Sequence, residues 1–311
     1  MRGGPRSYYH MPMLSTTIST TRHLSDWDPS SIMEPRKTIP LDILLYIISL
    51  VAWRDGDIRS WETTMSLQFL SLACKSISPL SRKHLFSSMG LHKKSKIEHY
   101  SDLLSKNPDI ACYARELNLR CNLIIDHEFQ VLDMLKKHAS LQSISLNTGA
   151  ELSNWNDLPE SLRSSLVSLI KLPTVSAVSI STFKVFPATV LAECNNLIHL
   201  RLIRAKLTPP EINQVISPRS KIPSPKSLYF SRNTYCLAAL MNSANMDAGG
   251  SGPIVDFSRL QRAFFVVDSR SDIEQVYELI KVTTRLVFVA IRAHEDDPCT
   301  TTTLFHKNSH A

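Results

Sequence analysis

The segments that decide the fold are Leu141-Gln-Ser-Ile144-Ser-Leu146 and Leu197-Ile-His-Leu200-Arg-Leu202. Both place apolar residues at the first, fourth and sixth positions and polar residues before the last. The apolar residues at the fourth and sixth positions are two apart, which is the spacing of a β-strand with one buried face. Each segment therefore predicts a short strand that must bury its apolar face against other parts of the chain.

The same spacing recurs along residues 108–293. Two further clear copies are 175–180 and 286–291, and three weaker ones are 114–119, 225–230 and 260–265. Their final apolar residues recur at intervals of 22 to 35 residues, close to the leucine-rich-repeat period of roughly 20 to 29 residues. The region is thus similar to a degenerate leucine-rich-repeat array, in which each unit is buried only by its neighbours.

Helical patterns fill the intervals between the predicted strands. They cover residues 127–138, 158–169, 187–194, 210–216, 235–241 and 272–282. Short strands alternating with helices predict an α/β fold with parallel strands in a curved sheet and helices outside it. An ordinary α/β domain is the alternative, although a doubly wound sheet favours longer helices and near-continuous apolar strands.

A strongly apolar helix is predicted over residues 38–53. One stripe along it comprises Leu41, Leu44, Leu45, Ile48 and Val51, and a second comprises Ile43, Ile47 and Leu50. One stripe can pack within its own domain, whereas the second requires further core or a partner. Two more helices are predicted, one ending at Ala73 and one containing Pro79, and the second of the three helices is also apolar on two sides.

This three-helix segment resembles the F-box and F-box-like domains. The matching residues are Pro40, Leu41, Ile43, Leu44, Ile47, Leu70, Leu72, Cys74 and Lys75, and the match spans about 50 of the 311 residues. The tryptophan that often follows the Cys-Lys pair is replaced by Ile77, and the loop between the first two helices is long. The alternative interpretation is a plain helical cap on the domain that follows.

The resemblance implies a role in protein degradation. F-box domains bind the small Skp adaptor and, through it, a cullin-RING ubiquitin ligase, so the nine matching residues are the predicted adaptor contacts. The repeats would then bind an unknown protein substrate. A protein-binding scaffold without any ligase role is the second hypothesis, and an enzyme on an α/β domain is a third.

The composition excludes several other classes of function. The common nucleotide-binding and hydrolase motifs are absent from the sequence, so no catalytic residue, cofactor or metal is predicted. No apolar stretch reaches the roughly 20 residues of a membrane span. The net charge of +7 is a mild excess, and its densest basic cluster, Arg82 to Lys96, is interpreted as a solvated loop after a helix, so nucleic acid is not the expected partner.

The remaining expectations concern compartment and domain limits. The six cysteines form neither a C-x-x-C pair nor a zinc-spaced group, which favours reduced thiols in the cytoplasm or nucleus. Residues 1–36 are predicted to be a disordered tail, with a transit peptide or an imprecise gene model as alternatives. The predicted domains are residues 37–90 for the F-box-like unit and 108–293 for the repeats, and residues 294–311 are a polar tail.

Overall fold

All seven copies of the strand pattern end in β-strands. The computed structural model describes residues 39–53, 61–73, 75, 77–124, 129–149, 153–209, 222–231, 236–241, 253–293 and 302–306. By its contacts the chain divides into residues 1–41 and residues 42–311. Of the first unit, Ile39 and Pro40 precede the first helix, and Leu41 is that helix's first residue. The following description concerns the second unit.

One sheet of nine strands contains the seven predicted ones. It comprises β1 (Ser88–Leu91), β2 (Glu116–Arg120), β3 (Ser143–Asn147), β5 (Ala177–Ser181), β7 (His199–Ile203), β9 (Ser227–Ser231), β10 (Arg262–Val267), β11 (Phe288–Ala293) and β12 (Thr302–His306). The strands lie side by side in chain order. All neighbours up to β11 are parallel, and β12 runs antiparallel to β11. This ascending order differs from a doubly wound sheet, in which the order reverses.

The strands share one register because each begins with the same hydrogen-bonding arrangement. The carbonyl oxygen preceding one strand accepts hydrogen bonds from two successive N–H groups at the start of the next. The carbonyl of Gln142, for example, accepts from Ser176 and Ala177, both at 2.9 Å. The acceptors are Ser87, Arg115, Gln142, Ser176, Ile198, Lys226 and Gln261. Every strand up to β11 is therefore aligned with its neighbours at its first residue.

Helices cover one face of this sheet. They are α4 (Lys94–Lys106), α5 (Phe129–His138), α6 (Glu160–Ile170), α7 (Ala188–Leu191), α8 (Cys236–Met241) and α9 (Arg270–Val282), with 3₁₀ turns at Pro108–Tyr113 and Cys121–Leu123. Alternate strand residues such as Leu146, Ile180 and Leu202 are fully buried in one core with residues of these helices. Apart from Ser181, Ser231 and Ala290, which are buried, the intervening residues are half-buried or exposed, so most of the opposite face of the sheet is open.

A second, smaller parallel sheet joins β4 (Ser153–Asn154), β6 (Phe183–Pro187) and β8 (Leu207–Thr208). Beside it, a 3₁₀ turn at Trp155–Asp157 contributes Trp155 to a cluster with Phe183 and Phe186. The chain enters this sheet through Thr182, whose φ of 60° is unusual for a residue with a side chain. The N–H of Thr182 donates to the carbonyl of Ile203 at 2.8 Å, which holds the turn.

The three predicted N-terminal helices are present as α1 (Leu41–Trp53), α2 (Trp61–Ala73) and α3 (Ser78–Leu85). They share a small core of three buried residues, Ile48, Leu67 and Ile77. Leu44, Leu70, Leu80 and Leu85 pack partly buried around it. Pro79 lies in the first turn of α3, where its missing N–H removes no helical hydrogen bond.

Several elements differ from the prediction. Strands β1, β4, β6, β8 and β12 were not predicted, and β12 lies within the segment expected to be a polar tail. The basic cluster is not a loop: Arg82 and Lys83 belong to α3, while Lys94 and Lys96 form the start of α4, and all four are exposed. The predicted helix over 210–216 lies outside the described residues.

Helix α9 has the best-defined N-terminus and allows a stability test. The Ser269 hydroxyl accepts from the Asp272 N–H at 3.2 Å, and the buried Asp272 carboxylate accepts from the Ser269 N–H at 3.0 Å. This reciprocal pair is a capping box. We expect Ser269→Ala to lower the free energy of unfolding by about 1 kcal/mol in urea titrations. Ser271→Ala, two residues further along and within the helix, should change it by less than half as much.

Candidate binding surfaces

Helix α1 exposes most of its second apolar stripe. Ile43, Ile47 and Leu50 are 47%, 40% and 46% exposed, although all three are large and aliphatic. Tyr46 lies beside them and is 65% exposed. On the opposite side of the same helix, Ile48 is only 1% exposed and packs into the three-helix core. Ile43, Ile47 and Leu50 form the second stripe, for which the sequence predicted a need for further core or a partner, and within the chain they are largely exposed.

Helix α2 repeats this arrangement. Leu67 is fully buried, while Phe69 and Leu72 are 64% and 83% exposed. Residues 67 and 69 are two positions apart on a helix, so their side chains lie on different faces of it. We call Ile43, Tyr46, Ile47, Leu50, Phe69 and Leu72 together the helical face. Exposed apolar side chains grouped on two helices are typical of a protein-binding surface.

The nine predicted adaptor contacts occupy different environments. Ile43, Ile47 and Leu72 belong to the helical face, and Lys75 and Pro40 are also exposed. Leu44 and Leu70 instead pack partly buried against the three-helix core. Leu41 is the first residue of α1, with its side chain outside the description, and Cys74 lies outside the described residues. Three of the nine thus combine a clear position on a helix with an exposed apolar side chain.

The open face of the main sheet is the second candidate surface. Its first half, on β2, β3 and β5, carries small polar residues such as Asn118, Ser145 and Ser179, with Glu116 and Arg120 at the two ends of β2. Its second half, on β7, β9, β10 and β11, carries arginine and aromatic residues. They are His199, Arg201, Tyr229, Arg262, Phe264, Phe288 and Arg292. Along the sheet, the open face therefore changes from mainly small polar side chains to large basic and aromatic side chains.

Three of these large residues form a continuous stack. Arg201, Tyr229 and Phe264 occupy the same register position on β7, β9 and β10. The Arg201 guanidinium carbon lies 4.7 Å from the centre of the Tyr229 ring. The Tyr229 and Phe264 rings are stacked at 5.0 Å with only 8° between their planes. A cation–π contact and a ring stack thus hold these side chains in place.

The thiols described by the structure are of two kinds. Cys112 is exposed, whereas Cys121 and Cys194 are buried. Burial raises the pKa of the Cys121 thiol to about 12, even though backbone hydrogen bonds oppose the shift. Burial likewise raises the pKa of Cys194 to about 11. Since the thiolate is the nucleophile, both buried groups are unreactive at neutral pH.

This difference predicts the pattern of thiol alkylation. With iodoacetamide at neutral pH, the folded chain should be modified at Cys112 and spared at Cys121 and Cys194. At pH 9 the two buried thiols should still be mostly protonated, because both pKa values lie higher, so they should remain the slowest sites to react. Peptide mass spectrometry measures each site separately, and denatured protein provides the fully modified control. Rapid labelling of Cys121 in folded protein would contradict its burial.

One open cavity of about 610 Å³ lies beside α8 and α9. Met241, Tyr277 and Val282 supply part of its apolar lining, and Glu274 and Glu278 supply carboxylates. Both carboxylates make exposed ion pairs, Glu274 with Arg270 at 3.3 Å and Glu278 with Lys281 at 2.7 Å. Within the described residues, no group of three or more metal-ligating side chains is assembled. The sequence also contains Asp55 and Asp57, interpreted as turn residues, and the segment His294 to Cys299, interpreted as solvated surface, and all of these lie outside the described residues.

Comparison of the chain with models of protein families, with curated proteins and with solved structures yields no match. Of the helices in the described part of the chain, none combines the length and the hydropathy that crossing a membrane requires.

Proposed function

We propose that this protein is the substrate-recognition subunit of a Skp–cullin–F-box type ubiquitin ligase. In this proposal α1 to α3 form an F-box-like unit, the main sheet and its helices form a degenerate leucine-rich-repeat solenoid, and the protein acts in the cytoplasm or nucleus. The F-box-like unit binds a Skp-type adaptor and, through it, a cullin. The solenoid binds the target protein.

The observation that carries this proposal is the helical face. The core shared by α1, α2 and α3 has three buried apolar residues, while the six large apolar or aromatic side chains of the helical face remain exposed. At about 25 cal/mol per Å² of apolar surface, covering them is strongly favourable. An apolar helix face laid against a complementary groove is a recurrent mode of protein recognition.

The order of residues adds support that exposure alone does not give. Pro40 lies just before α1, Ile43 and Ile47 are exposed on α1, Leu72 is exposed near the end of α2, and Lys75 is exposed just after it. These are five of the nine residues that match the F-box pattern. The exposed residues therefore occur along the helices in the same order as the residues of the F-box pattern.

The proposed mechanism is proximity, with the bond-making chemistry in other subunits. A receptor that holds a target beside the ligase raises the local concentration of the target's lysines around the ubiquitin-carrying subunit. Such a receptor requires no cofactor, metal or catalytic residue of its own. The open face of the sheet, broad and aligned across eight parallel strands, is the proposed target-binding surface.

The decisive experiment is direct binding to a purified Skp-type adaptor. The full chain, with its helix content verified by circular dichroism, is titrated with the adaptor and the complex is measured by calorimetry. Binding with a Kd of about 1 μM or tighter supports the proposal. If the folded chain fails to bind at such concentrations, the ligase role is overturned. The scaffold hypothesis, which needs only the open face, is then the one retained.

A further inference from the structure

The large side chains of the open face carry charge of one sign. Strands β7, β9, β10 and β11 contain three arginines, Arg201, Arg262 and Arg292, and no aspartate or glutamate. All three arginines are exposed, as is His199 on the same face. The acidic residue of this face, Glu116, lies on β2 in the small-residue half. The surface from β7 to β11 is therefore basic as well as aromatic.

The stack gives this basic surface a defined shape. Strands β7 and β10 flank β9 on opposite sides, so Arg201 and Phe264 cover the two faces of the Tyr229 ring. The guanidinium is held against the ring, so less rotamer entropy is lost when it pairs with an anion. Arginine and tyrosine at the centre of a surface are the residue types that contribute most to protein interfaces.

The same geometry favours a protein ligand over a nucleic acid. Single-stranded nucleic acids bind to sheets by stacking bases on the open faces of aromatic rings. Both faces of Tyr229 are covered, and one face of Phe264 is covered by Tyr229. Tyr229 therefore presents its edge, and Phe264 presents its edge and one face. Ring edges suit contacts with apolar side chains and with carboxylate oxygens.

We propose that the open face from β7 to β11 binds an acidic segment of the target protein, in which aspartate or glutamate residues are interspersed with apolar ones. The carboxylates pair with Arg201, Arg262 and Arg292, and the apolar side chains contact the edges of Tyr229 and Phe264. This inference deepens the proposed function and rests on it for the identity of the ligand as a ubiquitination target. Because the attraction is electrostatic, binding weakens as salt is added.

The test is selection of short random peptides on the immobilised full chain. The expected result is enrichment of aspartate and glutamate in the selected peptides. Synthetic versions should bind about tenfold or more weakly to Arg201→Glu and to Tyr229→Ala, the scale of a central interface residue. Lys136→Glu on α5 changes the net charge as much as Arg201→Glu but lies among the helices, so it should bind normally. Thermal unfolding verifies that each variant is folded.

Three outcomes would overturn this inference. They are a failure to select any peptide, a selection without acidic enrichment, and an equal loss of binding in Lys136→Glu and Arg201→Glu. Displacement of the peptides by a single-stranded oligonucleotide with the same dependence on Arg201 would assign the surface to nucleic acid instead. The adaptor titration is separate: if it fails while acidic peptides still bind, the ligase role is overturned and the peptide-binding surface stands.

Discussion

Ile47→Asp is expected to abolish adaptor binding while leaving the protein folded. Ile47 is 40% exposed at the centre of the α1 stripe, and its side chain adds little to the three-helix core. An aspartate there would be desolvated by the apolar groove of the adaptor without a partner for its charge. We expect the affinity to fall by at least about 100-fold, or about 2.7 kcal/mol. Calorimetric titration of the full chain with the adaptor measures this change.

Ile48→Asp is the matched control for this prediction. It places the same substitution one residue further along α1, where the side chain is 1% exposed. Ile48→Asp should unfold the three-helix unit, whereas Ile47→Asp should lower the free energy of unfolding by no more than about 1 kcal/mol. Leu44, also a predicted contact, is less informative because it packs against the same core. If Ile47→Asp binds the adaptor as the unaltered chain does, the helical face is not the adaptor site.

Phe186→Ala is expected to cause a large loss of stability. Phe186 is fully buried, and its ring makes edge contacts with two other rings. The ring centres lie 4.9 Å apart for Trp155 and 5.2 Å apart for Phe183. Truncation removes these contacts and leaves a cavity between two rigid rings. We expect the free energy of unfolding to fall by about 3–5 kcal/mol in urea titrations.

The matched control is Phe69→Ala on α2. Phe69 is 64% exposed, so the same truncation removes little buried surface, and alanine is the better helix former. We expect the free energy of unfolding to change by less than about 0.5 kcal/mol. A small effect of Phe186→Ala, comparable with that of Phe69→Ala, would show that the aromatic cluster of the second sheet is not tightly packed in solution.

The main sheet could be predicted from the sequence because its signal is one of spacing. Six of the seven copies end with buried residues two apart, as in Ile144 and Leu146, and the seventh ends with buried Val289 and half-buried Ile291. The first position of each copy, such as Leu141, is buried just before the strand. Five of the six predicted helices correspond to α5 to α9, and the sixth falls outside the described residues. The alternation is visible in the sequence because every second residue of a strand must be apolar to pack against the helices.

The unpredicted strands lacked such a signal. β4 and β8 have two residues each, too short to show any alternation. In β1 the exposed-side residues are Ser88 and Gly90, which have weak strand preference, and only Met89 and Leu91 are buried. β12 has the sequence Thr-Thr-Leu-Phe-His, in which apolar residues do not alternate with polar ones, and it pairs antiparallel with β11.

The candidate surfaces were predictable to different extents. The apolar stripe of α1 could be inferred from helical periodicity, because a narrow helix cannot bury two stripes in a three-residue core. The stack of Arg201, Tyr229 and Phe264 could not, because these residues are 28 and 35 positions apart and meet only through the register of three strands. A signal was nevertheless present: each is the fifth residue of its strand-forming segment, between two buried apolar residues.

The repeated alignment at the start of each strand has a consequence for how the number of strands in such a sheet can change. Between each pair of neighbouring strands, one carbonyl oxygen accepts from two successive N–H groups. If one strand and its connection were removed, the two strands on either side could therefore pair through the same hydrogen bonds. The array can thus gain or lose whole modules without a new joining geometry. The width of the open face then changes in steps of one strand spacing, about 4.8 Å, while the remaining modules keep their side chains.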